Sequence, residues 1–301
     1  MTEQPTRAGF VALVGASNVG KSSLLNRLVG AKVSIVSPKI QTTRRRIIGI
    51  TMQGRSQLLF VDTPGIFATA KRLDRAMLDA AWAGAADADL ILLVVDAERG
   101  LDRPTREAIA GIERYGKPKL LLINKIDLVE HAALLPLIAE LNRQTTFEAT
   151  FLVSALRGHG CEDALAALEQ RVPEGPWLYP EDQLSDLSSR AMACEITREQ
   201  IFNRLHQELP YSITVECEQW TESPDASEVR IDQTIYVERD GQKAIVIGKG
   251  GQQLKAIGAA ARKELEELLG LRVHLFLFVK VRAGWQDDPE RYREMGLPFQ
   301  P

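Results

Sequence analysis

The chain has 301 residues, 45% of them hydrophobic, and its 37 lysines and arginines stand against 40 aspartates and glutamates. That length suggests two domains of roughly 100–200 residues each, with enough apolar content for ordinary packed cores. The near-neutral balance says nothing about a nucleic-acid partner, so charge has to be read locally. No apolar run approaches the roughly 18 residues of a transmembrane helix, and residues 1–7 lack the apolar core of a signal peptide. Cys161, Cys194 and Cys217 lie far apart with no C-x-x-C, so neither a disulfide framework nor a zinc site is indicated, which suits a reducing cytoplasm.

Phe10 to Val14 is an apolar run short enough for a buried strand, and Ser23 to Val29 has helical spacing that ends at Gly30. Between them, Gly15 to Ser22 fits G-x-x-x-x-G-K-[ST], a phosphate-binding loop in its required strand–loop–helix setting. Gly15 and Gly20 permit backbone angles that turn consecutive amides toward one anion, and the helix N-terminus adds partial positive charge. The expected cradle is Gly15, Asn18, Val19, Gly20, Lys21, Ser22 and Ser23. Lys21 reaches the β/γ-phosphates and the Ser22 hydroxyl is a Mg²⁺ ligand.

The polar, basic run from Pro38 to Arg46 interrupts the apolar pattern and reads as a loop. Placed between a phosphate loop and an acidic motif, Thr42-Thr43 is a candidate switch: one hydroxyl completes the metal shell only when a γ-phosphate is present. Thr43 is preferred. Strands are expected at 47–51 and 57–61, the second running into Asp62-Thr63-Pro64-Gly65. A carboxylate at a strand end beside the phosphate loop is the expected partner of the metal, and the Gly65 amide is a γ-phosphate sensor. The residue after Gly65 is Ile66, which cannot orient a water as the glutamine of Ras-type enzymes does. Lys21, Thr43 and Gly65 are the candidate catalytic groups, with Arg44 to Arg46 as alternative sources of positive charge.

Further strands are expected at 89–96, 119–123 and 150–153, with a helix over 104–115. The strand at 119–123 leads into Asn124-Lys125-Ile126-Asp127. In N-K-x-D the Asp127 carboxylate accepts from guanine N1–H and the 2-amino group, which adenine cannot match. Asn124 suits the N7 side, the Lys125 stem covers the base plane, and Ser154-Ala155-Leu156 brings the Ala155 amide to O6. Alternating strands and helices over 8–172 imply an α/β domain with a mostly parallel sheet and one antiparallel edge strand, its ligands at the strand C-terminal ends.

Pro173, Pro176 and Pro180 mark 173–187 as a linker. Beyond it the pattern changes to a helix over 189–209, two alternating strands, a short helix, Gly248-Lys249-Gly250-Gly251, a helix over 252–269 and a strand at 273–281, spanning 188–285. This G-x-x-G, joining two helices beside a three-stranded sheet, is the backbone clamp of an α+β KH module that holds about four nucleotides of single strand. The expected contacts are Gly248, Lys249, Gly250, Gly251 and Lys255. From Arg239 to Arg282 there are nine Lys/Arg against four Asp/Glu, a local basic excess that suits a polyanion. The four histidines have no metal spacing, and Trp82, Trp177, Trp220 and Trp285 read as packing residues. The tail, 286–301, is charged and proline-terminated and reads as a peripheral contact or a loosely ordered segment.

N-V-G-K-S, Q-T-T-R, D-T-P-G, N-K-I-D and S-A-L, then E-L-P-Y-S-I-T-V over 208–215, V-I-G-K-G-G and V-K-V-R-A-G-W over 279–285, make the chain resemble the Era family of bacterial GTPases from about residue 8 to 296. The resemblance implies a P-loop GTPase domain followed by a type II KH domain. It implies GTP/GDP and Mg²⁺ as ligands, and binding to the 3′ end of small-subunit 16S rRNA during maturation of the 30S precursor. It also implies a cytoplasmic monomer with weak peripheral contact to the inner membrane face. Likeness to potassium-activated GTPases gives Asn18 a catalytic role as a K⁺ ligand, joined by carbonyls of the Ser34 to Gln41 loop; the alternative is that Asn18 only braces the phosphate loop by a side-chain hydrogen bond. Ala16-Ser17 and Ser23 depart mildly from the family's usual residues at positions without essential chemistry. The competing functions are an RNA-binding protein that only senses guanine nucleotides, and a membrane-linked signalling GTPase.

Overall fold

The computed structural model describes residues 5–39, 42–66, 72–205, 209–294 and 296–299, in two compact units. The first comprises Met1–Ser34, Thr43–Asp186 and Tyr292–Pro301; the second comprises Ile35–Thr42 and Leu187–Arg291.

The first unit is built on six strands: β1 (Arg7–Val14), β2 (Ile47–Gln53), β3 (Ser56–Asp62), β4 (Leu90–Asp96), β5 (Lys119–Asn124) and β6 (Ala149–Leu152). Their order is β2-β3-β1-β4-β5-β6, parallel throughout except β2, which pairs antiparallel with β3 at the edge. All seven residues of both β3 and β4 are buried, because a sheet covered on both faces has no solvent side to mark with polar residues. Alternate side chains serve opposite layers. Leu13, Leu92 and Leu122 pack on Leu24, Leu25 and Leu28 of α1 (Lys21–Val29), whereas Val14, Leu93 and Ile123 join Ala108, Ile109 and Ile112 of α2 (Arg103–Ile112). The expected α/β sheet and its antiparallel edge are therefore present.

Two stretches differ from expectation. The proline-rich segment read as a linker is hydrogen-bonded along the edge of this unit. Gln57, fully buried on β3, accepts from the Leu178 and Tyr179 amides and donates to the Tyr179 carbonyl at 2.8 Å. Ser185 bridges Gly49, and the Ile48 amide donates to Asp186 at 2.9 Å. The β2 edge thus finds partners for backbone groups that would otherwise be open. In the tail, Tyr292 and Leu297 are buried against Leu73, Ala76 and Met77 of a helix spanning Arg72–Asp87, so this part of 286–301 is packed in the first unit.

The second unit has a three-stranded sheet, β7 (Ile213–Glu222), β8 (Glu228–Val237) and β9 (Arg272–Val281), in that order, antiparallel between β7 and β8 and parallel between β8 and β9. Val229, Ile231, Ile235 and Val237 of β8 face a core completed by the helices Ser189–Arg204 and Gln252–Leu269. The helix–strand–strand–helix–helix–strand order is the one read from the sequence. The first of these helices stops at Arg204 rather than continuing to Leu209, and Lys39 donates to its terminal carbonyls, Phe202 O and Leu205 O. A cation at a helix C-terminus is favourable. The Val36 amide donates to Glu199 and Arg198 donates to the Thr42 carbonyl, so the described part of 35–42 is held within this unit. Trp285 is buried and donates to Ser212 O at 3.2 Å, a packing role. Among the described residues no helix is long and apolar enough to cross a membrane.

Candidate functional site

The phosphate loop leaves β1 at Val14 and enters α1 at Lys21. A Cβ on Gly15 would stand 2.4 Å from the Val94 carbonyl, so only glycine passes there. Gly20 has φ +95°, and no side chain caps α1, leaving its first-turn amides for an anion. Lys21 is buried; its ammonium donates to Gly15 O at 3.0 Å and Ala16 O at 2.9 Å. Burial lowers its pKa to about 8, partly opposed by the Asp62 charge. Asn18 is exposed with φ 64°, a conformation asparagine tolerates better than most residues.

Residues far apart in sequence converge on Asp62. Its Oδ2 accepts from Ser22 at 2.8 Å, Ser34 at 3.0 Å and Thr43 at 3.3 Å, and the Ser22 and Thr43 hydroxyls are 3.0 Å apart. Burial raises the Asp62 pKa against the opposing pull of Lys21 and the three hydroxyls. Asp62 Oδ1 is buried and has no hydrogen-bond partner among the described residues. Thr42, the alternative to Thr43, donates instead to the Lys39 carbonyl. Thr63 donates to Leu13 O and is buried, so its side chain braces β1 against β3. Pro64 is also buried. A Cβ on Gly65 would lie 2.7 Å from Ser17. Ile66 pairs by backbone with Ala16 and packs its side chain into the core. Arg44 is buried and Arg46 lies 3.8 Å from Asp87; Gln41 and residues 67–71 fall outside the described residues.

The base-reading loops are tied to this cradle. Asn124 Nδ2 donates to Val19 O at 2.9 Å, and Asn124 Oδ1 accepts from the Ala155 amide at 3.0 Å. The Ala155 N–H, expected to point at a base oxygen, is thus engaged by Asn124, which acts as a strut between the two loops. Lys125, at φ 65°, donates to Asn18 O and to Asp96 at 2.6 Å. Asp127 is exposed, and the Ser154 hydroxyl holds its carboxyl below the usual range. Arg27 of α1 donates to the carbonyls of Ala155 and Leu156, fixing S-A-L from below. Ser23 lines a shallow pocket with Asn26, Arg27, Lys32 and Ala155. Ser34, Asp96, Arg27 and also Arg99, which donates to Ser17 O, carry no motif and escape a reading of sequence.

In the second unit, the helix Asp240–Ile247 ends at Gly248, and Gly248, Gly250 and Gly251 have φ of +73°, +59° and +77°. Nothing lies within 4 Å of a Cβ built on Gly250 or Gly251, so the loop backbone is open to approach. Lys249 and Lys255 are exposed. Beside the loop, an open groove of about 450 Å³ runs between the 252–269 helix and β9, lined by Lys255, Gly258, Arg262, Leu275, Phe276 and Leu277. Arg262 was not expected from sequence.

A phosphate cradle at the C-terminal end of a parallel sheet, an N-K-x-D loop strutted to it, and a separate unit with a glycine clamp define a guanine-nucleotide P-loop protein carrying a KH domain. A family model described as a 50S ribosome-binding GTPase matches residues 10–125, and a KH domain model matches 208–286. GTPase Era of Rhizobium meliloti (strain 1021) is 59% identical over 295 residues, covering 98% of this chain and 94% of the relative. GTPase Era of Agrobacterium fabrum is 58% identical over 98% of this chain and 93% of its own. Two crystal structures superpose with TM-score 0.91 at 39% identity, over 97% of this chain and 99% of theirs. One is Era with MgGDPNP and nucleotides 1506–1542 of 16S ribosomal RNA; the other is a tyrosine-to-alanine variant of Aquifex aeolicus Era bound to GDP·AlF4⁻. This chain belongs to the Era family, and it is a GTPase.

Proposed function

We propose that the protein is a GTP-driven factor that binds the 3′-end region of 16S rRNA and acts in assembly of the 30S subunit, its nucleotide state gating its hold on RNA. The observation that carries the RNA reading is the open groove beside Gly250 and Gly251, with Lys255 and Arg262 for phosphates and apolar walls for bases. It has the chemistry to receive RNA of the kind held by the solved Era relative. Gly250→Asp tests it. Aspartate tolerates left-handed backbone and meets no neighbour there, so the fold is expected to survive. A negative charge at the clamp is expected to weaken binding of a 16S 3′-end oligonucleotide about tenfold or more, roughly 1.4 kcal/mol, with GTP affinity unchanged. Equal RNA affinity in filter binding would remove the KH groove as the site.

For the hydrolytic centre, the oxygen-only set of Ser22, Thr43 and Asp62 fits Mg²⁺, and the orphan Asp62 Oδ1 is an acceptor that a hydrated cation satisfies. Magnesium there supplies positive charge against the phosphate oxygens. Lys21 adds a second charge, and the uncapped amides of α1 a third, diffuse one. In this reading Thr43 and the Gly65 amide sense the γ-phosphate. With the Ile66 side chain in the core, no residue directly after Gly65 orients the attacking water. We assign charge stabilisation to K⁺ at Asn18 in preference to Arg44, which is buried, and Arg46, which lies beside Asp87. Turnover is expected to be faster in K⁺ than in Na⁺ at matched ionic strength. The difference should vanish in Asn18→Gly, which keeps the left-handed backbone while removing the side-chain oxygen. Equal wild-type rates in the two salts reject the cation. We further expect a cytoplasmic monomer with a weak peripheral hold on the inner membrane face, which sedimentation and cell fractionation test.

A further inference from the structure

Ser34 is 1% exposed, and its hydroxyl donates to Asp62 Oδ2 at 3.0 Å. It lies outside every nucleotide-binding motif in the chain. Its position is built rather than incidental. After α1 the chain turns at Gly30, and Asn26 folds the return: Asn26 Oδ1 accepts from the amides of Val33 and Ser34 at 2.9 Å, and Asn26 Nδ2 donates to the Ser34 carbonyl at 2.7 Å. Three hydrogen bonds from one side chain on the phosphate-loop helix therefore set where the Ser34 hydroxyl points.

Asp62 Oδ2 has three hydroxyl neighbours, but they are not equivalent. Ser22 and Thr43 are the groups whose lone pairs the metal reading assigns to the cation, and Thr43 is shared between Ser22 and the carboxylate. The Ser34 hydroxyl has Asp62 as its partner and no assigned ligand role. A donor locked onto one carboxylate oxygen fixes rotation of the group and leaves the second oxygen, Oδ1, as the unsatisfied acceptor. Outer groups that orient a ligand in this way commonly change metal affinity 10–100-fold when removed.

We propose that Ser34 is a positioning residue of the magnesium site: held by Asn26, it orients the Asp62 carboxylate so that Oδ1 is presented to the hydrated cation. The inference rests on the magnesium reading above, and the test separates the two. Release of a fluorescent GDP analogue from the full chain is followed as magnesium is titrated, and again in EDTA. In the wild type, magnesium slows release. In Ser34→Ala, and in Ser34→Cys, which keeps side-chain size but loses the strong donor, the magnesium concentration giving half the effect is expected to rise about tenfold. The EDTA release rate should stay at the wild-type value. A wild type indifferent to magnesium overturns the metal reading itself. A magnesium-sensitive wild type with variants titrating identically overturns the role of Ser34 alone. Release accelerated equally in EDTA and in magnesium makes Ser34 a general brace of the loop and likewise overturns the proposal.

Discussion

Asp127→Asn is expected to lower GTP affinity by roughly a hundredfold or more while raising affinity for xanthosine triphosphate. The Asp127 carboxylate is exposed and is held ionised by the Ser154 hydroxyl, so near neutral pH it is an acceptor only. Guanine offers it two donors, N1–H and the 2-amino group. Hydrogen bonds to a charged group contribute about 1.5–3 kcal/mol each, so replacing one of the pair by a donor facing a donor costs roughly 3 kcal/mol, the lost bond plus the unsatisfied groups. Asparagine retains one acceptor and turns a donor toward the amino group. Xanthine replaces that amino group with an oxygen, which the new amide can satisfy. Because the side chain is exposed, thermal stability should not move, and the effect is then one of recognition. Competition titrations with GTP and xanthosine triphosphate measure both changes; a variant that binds GTP as the wild type does removes Asp127 as the base reader.

Gly20→Ala should abolish nucleotide binding and destabilise the first unit. Two costs add there. At φ +95° an L side chain is strained by about 1–2 kcal/mol. A Cβ would also stand 2.4 Å from Asn124 Nδ2, well inside contact distance. Asn124 would have to withdraw, breaking its bond to Val19 O and freeing the Ala155 amide, at about 1 kcal/mol net for each bond. One methyl group therefore disturbs the phosphate loop and the base loop together. Gly30→Ala is the control: its φ is +80°, but nothing lies within 4 Å of its Cβ, so it carries strain without collision. Melting and GTP binding of the two variants side by side separate the terms. Equal destabilisation with nucleotide binding intact in both would show that the Asn124 strut is dispensable.

The parts of this protein legible in its sequence are those whose physics is local. The glycines at 15, 20, 248, 250 and 251 announce backbone that other residues cannot follow or cannot bring close to an anion. Lys21, Ser22 and Asp127 sit at fixed offsets from such turns. The buried runs of β3 and β4 declare a sheet covered on both faces, and the alternation in β8 a sheet with one solvent side. With strand ends carrying the motifs, the α/β and KH architectures followed. What needed the tertiary structure has no local mark. Ser34 and Asp62 are 28 positions apart, Asp96 and Lys125 are 29 apart, and Arg27 reaches a carbonyl 128 residues on. A lone serine, aspartate or arginine is compatible with any solvated surface, and only convergence in space distinguishes it. The segment 173–186 misled for a related reason. Its prolines do favour extended chain, but an extended chain serves as a tether or as a strap along a sheet edge. That choice was made by Gln57, buried more than a hundred residues upstream, whose amide captures the Leu178 and Tyr179 backbone.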